Sequence, residues 1–286
     1  MEVLVQELHN LPPLQIVNML KCMKNISMHS NTLEALDKAH LIEELCEFLD
    51  LRDSPFFSDI QNQVLNALFN LCRINKTRQE IAALAGLVPH LQRFVRVSNP
   101  LKQFALPLLC EMAHAGRVCR DILWQCDALS SYLALLSDAY WQVNALEAIF
   151  VWLSDDLARI GTTLSSPKQV ETLMQTFITA KSTNFEAIVT SLQKLLAICP
   201  AISAGIAKPA FMSKLCEKIG EVTDVKEKAM VRLNLVRILS SVVESVGAES
   251  RKEIVDGFGV RELVEELAMD SAVLVKGEAQ KLRSVI

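Results

Sequence analysis

One pattern constrains this chain more than any other. Two short amphipathic segments are followed by a long one, over and over, at intervals of roughly 40 residues. The clearest copy of the long segment is NPLKQFALPLLCEMAHA, residues 99–115. Asn99 stands there as an N-cap, and Pro100 at the first helical position, where a missing N–H costs nothing. Leu101, Phe104, Ala105, Leu108, Leu109, Met112 and Ala113 recur at helical spacing and form one stripe that has to be buried. Gln103, Pro107, Cys110, Glu111 and His114 occupy the other side. Pro107 removes the bond to the Gln103 carbonyl at a cost of roughly 3 kcal/mol, which predicts a kinked helix.

The same reading places long helices over 14–28, 59–73, 141–153, 185–198 and 224–246, with a last one ending at Ile286. Pairs of short helices are expected at 32–39 and 41–49, 77–85 and 89–95, 117–126 and 129–136, 169–179 after a weaker segment at 157–164, 202–207 and 211–219, and 252–258 and 261–267. Breaks fall near Gly86, Asp127, Ser166, Lys208 and Gly259. No alternating apolar run or Asn-Gly or Asp-Gly hairpin turn signals a strand. A short-short-long cycle of this period is the armadillo pattern, with HEAT repeats as the near alternative. The expected fold is all-α, a right-handed superhelix of about six to seven repeats in a single solenoid over 1–286. An N-terminal cap covers 1–40, repeats cover about 41–86, 87–127, 128–166, 167–208 and 209–259, and a C-terminal cap covers 260–286. In such an array the long helices form a ladder on the concave surface.

Composition agrees. The chain is 51% hydrophobic, with only 9 Gly and 9 Pro in 286 residues, so it can bury a large core and needs few tight turns. A net charge of −4 and the lack of any long Lys/Arg run leave no footprint for nucleic acid. The 8 cysteines include no C-x-x-C pair and mostly sit in apolar stripes, which is expected of reduced core thiols in an intracellular, cytoplasmic protein. Met1 to Asn10 carries Glu2, Glu7 and His9 and does not read as a signal peptide, and no run of ~20 apolar residues could span a membrane. The sequons at Asn25 and Asn75 carry no weight without a secretory signal.

Chemistry-bearing constellations are sparse. Glu111-x-x-His114 has the spacing of half a di-iron carboxylate site, but the motif occurs once and reads better as a polar pair on the groove. His40 and His90 stand alone at repeat junctions as hydrogen-bonding residues. Asp256-Gly257-Phe258-Gly259 resembles a kinase D-F-G but has neither a glycine-rich loop nor an H-R-D loop, so it reads as a repeat-ending turn. No catalytic residue, metal or cofactor is assigned. Aligning the buried stripes puts Asn70, Glu111, Trp152, Lys194 and Arg237 at equivalent inward-facing positions, with Asn66, Pro107, Ala148 and Asn234 one turn earlier. Asn66, Asn70, Gln103, Glu111, His114, Trp152, Lys194, Asn234 and Arg237 are thus the expected partner contacts, Trp and Arg being favoured at interface hot spots. Arg232 is either solvated or part of a basic patch with Arg237. Tyr140 and Trp141 open one long helix, and Trp141 reads as structural.

Several of these runs resemble a known family. Residues 67–80, ALFNLCRINKTRQE, then GLVPHL at 86–91, PLKQFALPLLCEMAHA at 100–115, SDAYW at 137–141 and the segment 229–239 are similar to the C-terminal armadillo region of the septation-initiation protein kinases. That group comprises fungal cytokinesis kinases and the plant MAP kinase kinase kinase epsilon proteins. The resemblance runs from about Asn62 to the end and is densest between Ala67 and Trp141. It implies that Pro107 is a family feature, and that the chain is a non-catalytic regulatory region lying apart from a serine/threonine kinase domain. It further implies a Ras-like small GTPase in its GTP form as partner, acting at the spindle pole body and division site. Self-association, or an autoinhibitory grip on the kinase's own catalytic domain through an amphipathic final helix, is the alternative.

Overall fold

The computed structural model describes residues 2–97, 99–222 and 228–286. Among these, every regular element is helical. The chain divides into two compact units, one ending at Ser131 and the other beginning at Tyr132.

The first unit contains α1 (Glu2–Gln6), α2 (Pro13–Ser27), α3 (Leu33–Lys38), α4 (Leu41–Phe48), α5 (Phe57–Cys72), α6 (Lys76–Leu84), α7 (Leu87–Arg96), α8 (Lys102–Met112) and α9 (Arg117–Gln125), and the start of α10 (Ala128–Leu135). The second holds the end of α10, then α11 (Gln142–Asp155), α12 (Thr162–Leu164), α13 (Pro167–Ile178), α14 (Phe185–Ile198), α15 (Pro200–Ile206), α16 (Pro209–Val222), α17 (Ala229–Ser245), α18 (Ala248–Gly257), α19 (Val260–Leu267) and α20 (Val273–Arg283). Along the chain, pairs of shorter helices alternate with a longer one.

Local chemistry sets the entries to several short helices. Four second short helices are entered through a left-handed residue: His40 (φ 57°) before α4, Gly86 (85°) before α7, Asp127 (52°) before α10 and Gly259 (63°) before α19. Gly, Asp and His are the residues that tolerate this conformation best. The other two, α13 and α16, open on Pro167 and Pro209, whose fixed φ suits a first helical turn.

Long helices pack on long helices within each unit: α2 against α5 and α5 against α8 in the first, and α11, α14, α17 and α20 in succession in the second. Polar rungs tie them. Asn70 Nδ2 donates to Ser27 Oγ at 3.1 Å, 43 residues away, and Asn234 Nδ2 to Thr190 Oγ1 at 3.1 Å, 44 residues away. Lys194 Nζ lies 5.8 Å from the Phe150 ring centre, and Arg237 Nε is 3.9 Å from Glu278 Oε2. Each rung spans one repeat.

Three expectations need correction. The helix expected from Pro100 begins at Lys102, because residues 99–104 first close a tight turn in which Lys102 N–H donates to Asn99 O at 3.0 Å. The N-cap is therefore Leu101, without a side-chain cap bond, and not Asn99, whose Oδ1 accepts Leu101 N–H at 2.8 Å within the preceding turn; α8 continues through Pro107. The helix expected over 157–164 is present over that span but opens as a π turn at Leu157–Gly161 before α12. Gly161 permits this close approach, since a Cβ there would meet Leu157 Cδ1 at 3.3 Å and Cys199 Sγ at 3.5 Å. Arg232, expected as a solvated or groove cation, is 2% exposed and clasped by Asp270, itself 4% exposed. Its Nε is 2.8 Å from Asp270 Oδ2 and its Nη2 3.2 Å from Oδ1, while Nη1 donates to the Val222 carbonyl at 2.9 Å. The first residues of the long helix expected over 224–246 lie outside the described residues.

All eight cysteines are free thiols, five of them buried. Burial pushes Cys46, Cys110 and Cys119 up to about 12 and Cys216 up to about 11, so these thiols stay protonated and act as small apolar side chains. No single described helix is long and apolar enough to cross a membrane.

Candidate functional site: the ladder of long helices

The long helices are nearly enclosed by their neighbours, and this decides which ladder residues reach solvent. In α17 every residue from Val231 to Ser240 is buried except Arg237, whose side chain is 40% exposed. Asn234 is 5% exposed and spends its amide on Thr190. Trp152, expected as a candidate anchor, is 1% exposed and meets Tyr132 edge-on at 6.1 Å, so its indole belongs to the core. In the second unit the ladder therefore shows solvent Lys194, which is exposed, and Arg237.

In the first unit Gln103 is exposed, and Asn66, Asn70, Glu111 and His114 are half-buried. Asn66 Nδ2 donates weakly to Asn62 Oδ1 at 3.4 Å, and Asn70 is engaged with Ser27. Glu111 has a structural duty. Its Oε2 accepts Ile74 N–H at 3.1 Å and Gln79 Nε2–H at 3.2 Å, which ties α8 to the turn between α5 and α6. A carboxylate already accepting two N–H groups is poorly placed to lead a metal site with His114.

Both lone histidines are junction residues. His40 Nδ1 lies 2.9 Å from Glu43 Oε1 and His90 Nε2 3.4 Å from Asp50 Oδ2, with burial pulling the His90 pKa below its ordinary range despite the Asp50 charge. One described cluster has metal-ligand spacing, His9 with Glu44 and Glu47. There His9 Nε2 is already 2.9 Å from Glu44 Oε2 and its ring stacks on Phe48 at 4.5 Å, which tethers the N-terminal segment to α4. The residues 256–259 close α18 and enter α19 through Gly259.

Two features had no signal in residue type or spacing: the buried Arg232–Asp270 clasp and the turn at Ile74. A charged pair 38 residues apart is not distinguishable in sequence from two surface charges.

The fold and its ladder define a helical-repeat module of the armadillo kind. An engineered protein solved by the Northeast Structural Genomics Consortium shares this fold, with a TM-score of 0.58 and 17% identity over 98% of this chain and 77% of its own. No family model matches the sequence. The relatives are informative: the cytokinesis protein sepH of Emericella nidulans is 41% identical over 284 residues, 97% of this chain and 21% of that protein. The MAP3K epsilon protein kinase 2 of Arabidopsis thaliana is 36% identical over 242 residues, 84% of this chain and 17% of that protein. The chain belongs to this family of cytokinesis and MAP3K epsilon kinases, spanning about a fifth of their length and matching a non-catalytic region of them.

Proposed function

We propose that this region is the regulatory interaction module of a septation kinase and that its ladder surface holds a Ras-like small GTPase in the GTP-bound form. The observation that carries the reading is the match of nearly the whole chain to a non-catalytic part of cytokinesis kinases. Each unit by itself supports it: the second shows exposed Lys194 and half-buried Arg237, and the first exposed Gln103 with half-buried Asn66 and His114, polar and cationic contacts of the kind that give selectivity. Trp152 and Asn234 act from beneath, holding the helices in register, and Asn70 and Glu111 do so through their rungs. Recruitment to the spindle pole body and division site follows from the same reading. A pull-down of the GTPase loaded with GTP or GDP tests it: GTP-selective capture, weakened roughly tenfold by Lys194→Glu with Arg237→Glu, is expected. Equal capture in both states refutes it.

A second reading is self-association, or docking of the kinase's own catalytic domain. Met269, Val273 and Leu274 favour it, being 79%, 81% and 64% exposed within the α19–α20 junction, whereas Ala279 and Leu282 are buried in the unit's own core. Sedimentation would show a concentration-dependent dimer that Leu274→Glu disperses; a monomer at every concentration removes the self-association arm.

A further inference from the structure

Three donor atoms from two elements of the first unit converge on one point. His9 lies in the single turn Leu8–Asn10 that follows α1, and Glu44 and Glu47 stand one helical turn apart on α4. His9 Nε2 is 2.9 Å from Glu44 Oε2 and 3.6 Å from Glu47 Oε2, and one ligand atom from each residue lies within 4.8 Å of the other two. Zinc holds imidazole nitrogen and carboxylate oxygen at about 2.0–2.2 Å, which sets its ligand atoms roughly 3.0–3.5 Å apart. The two nitrogen-to-oxygen separations bracket that range, so an ion can enter by side-chain adjustment alone.

The imidazole is already oriented. Its ring stacks on Phe48 of the same helix, 4.5 Å between centres and 15° between planes, with Nε2 facing both carboxylates. Val5 and Leu8, both buried, anchor the segment that carries it. Among the described residues the two carboxylates ion-pair with His9 and with no Lys or Arg. Glu111 differs, its oxygen being spent on two N–H groups. Like charges one turn apart on a helix repel, and a dication removes that repulsion where a neutral imidazole does not. The donor set also selects the ion. One imidazole with two carboxylates suits zinc, whereas magnesium and calcium call for oxygen throughout. Three protein ligands leave one tetrahedral position for water, on the solvent side where Glu47 is 69% exposed.

We propose that His9, Glu44 and Glu47 form a zinc site that locks the N-terminal segment onto α4. Nε2 gives its lone pair to the metal, so the ring carries its proton on Nδ1, and the hydrogen bond to Glu44 is exchanged for bonds to a shared ion. This site goes beyond the partner reading and does not depend on it. Calorimetry of the 286-residue chain, stripped with chelator and titrated with zinc chloride, is expected to show Kd at or below about 100 μM. His9→Gln and Glu47→Gln each weaken binding at least about tenfold, and His114→Gln leaves it unchanged. Glu47→Gln is the cleaner variant, since it leaves the His9–Glu44 tether in place. Magnesium and calcium bind at least about tenfold more weakly than zinc. The chain has eight free thiols, so cobalt serves as a second probe and should bind without the charge-transfer band of a thiolate ligand. Amide exchange across residues 3–11 slows in saturating zinc, which reads the locking directly. Zinc affinity below the stated limit, a loss of less than tenfold in Glu47→Gln, a thiolate band, or calcium binding within tenfold of zinc each overturns the site. Unchanged amide exchange overturns the lock.

Discussion

Asp270→Ala is expected to destabilise the second unit by roughly 3–5 kcal/mol, the cost of leaving a buried guanidinium without its counter-charge. Both partners are almost fully withdrawn from water, Arg232 at 2% and Asp270 at 4% exposure. Asp270 has a further task, its Oδ1 accepting Ala272 N–H at 2.7 Å at the entry to α20. The clasp therefore joins three elements: the end of α16 through the Val222 carbonyl, α17 through Arg232, and the α19–α20 junction through Asp270. Urea unfolding followed by circular dichroism measures the loss. Replacing both partners with apolar residues of similar size, Arg232→Met with Asp270→Leu, should recover most of it, because the desolvation cost disappears along with the attraction. A single-variant loss under about 1 kcal/mol would mean that water reaches the pair.

Trp152→Ala is expected to cost roughly 3–5 kcal/mol, the range for deleting a large buried aromatic. The indole is one of the largest fully buried side chains, and its edge-on contact with Tyr132 adds to its area term. Lys194→Ala, on the same nominal ladder row, should change stability by no more than about 0.5 kcal/mol. Thermal denaturation of the two variants side by side separates the core position from the surface position. If Trp152→Ala melts with the wild type, the long helix α11 is rotated from its described register.

The contrast between Trp152 and Lys194 shows where sequence reasoning reaches its limit. Apolar spacing and punctuation by Gly and Pro were enough to order the helices; Phe185–Ile198 begins and ends where the pattern places it, and Gly86, Asp127 and Gly259 stand at helix entries. Those signals are local, and each is set by a few neighbouring residues. Ladder exposure is not local. A long helix packed between two others loses the amphipathic contrast that would mark its solvent face, as α17 does with only Arg237 reaching out among its central residues. Stripe alignment then equates Trp152 with Arg237, though one faces core and the other water. Ile74 escaped for a different reason. Residue identity argues against a left-handed turn at an isoleucine, and only the backbone, with φ 62° there, reveals that the chain adopts one.

The rungs described above also govern how the module would respond to force. Each ties residues a single repeat apart, so tension on the C-terminal end meets first the Arg261 Nη2 bond to Ile286 O, then α20 with its Arg237–Glu278 contact, and next the Arg232–Asp270 clasp. The unit would yield from its outer edge inward, one helix layer at a time, and lengthen in steps instead of rupturing at once. Such a series of weak links makes the region extensible, with the buried clasp setting the threshold for the first large step.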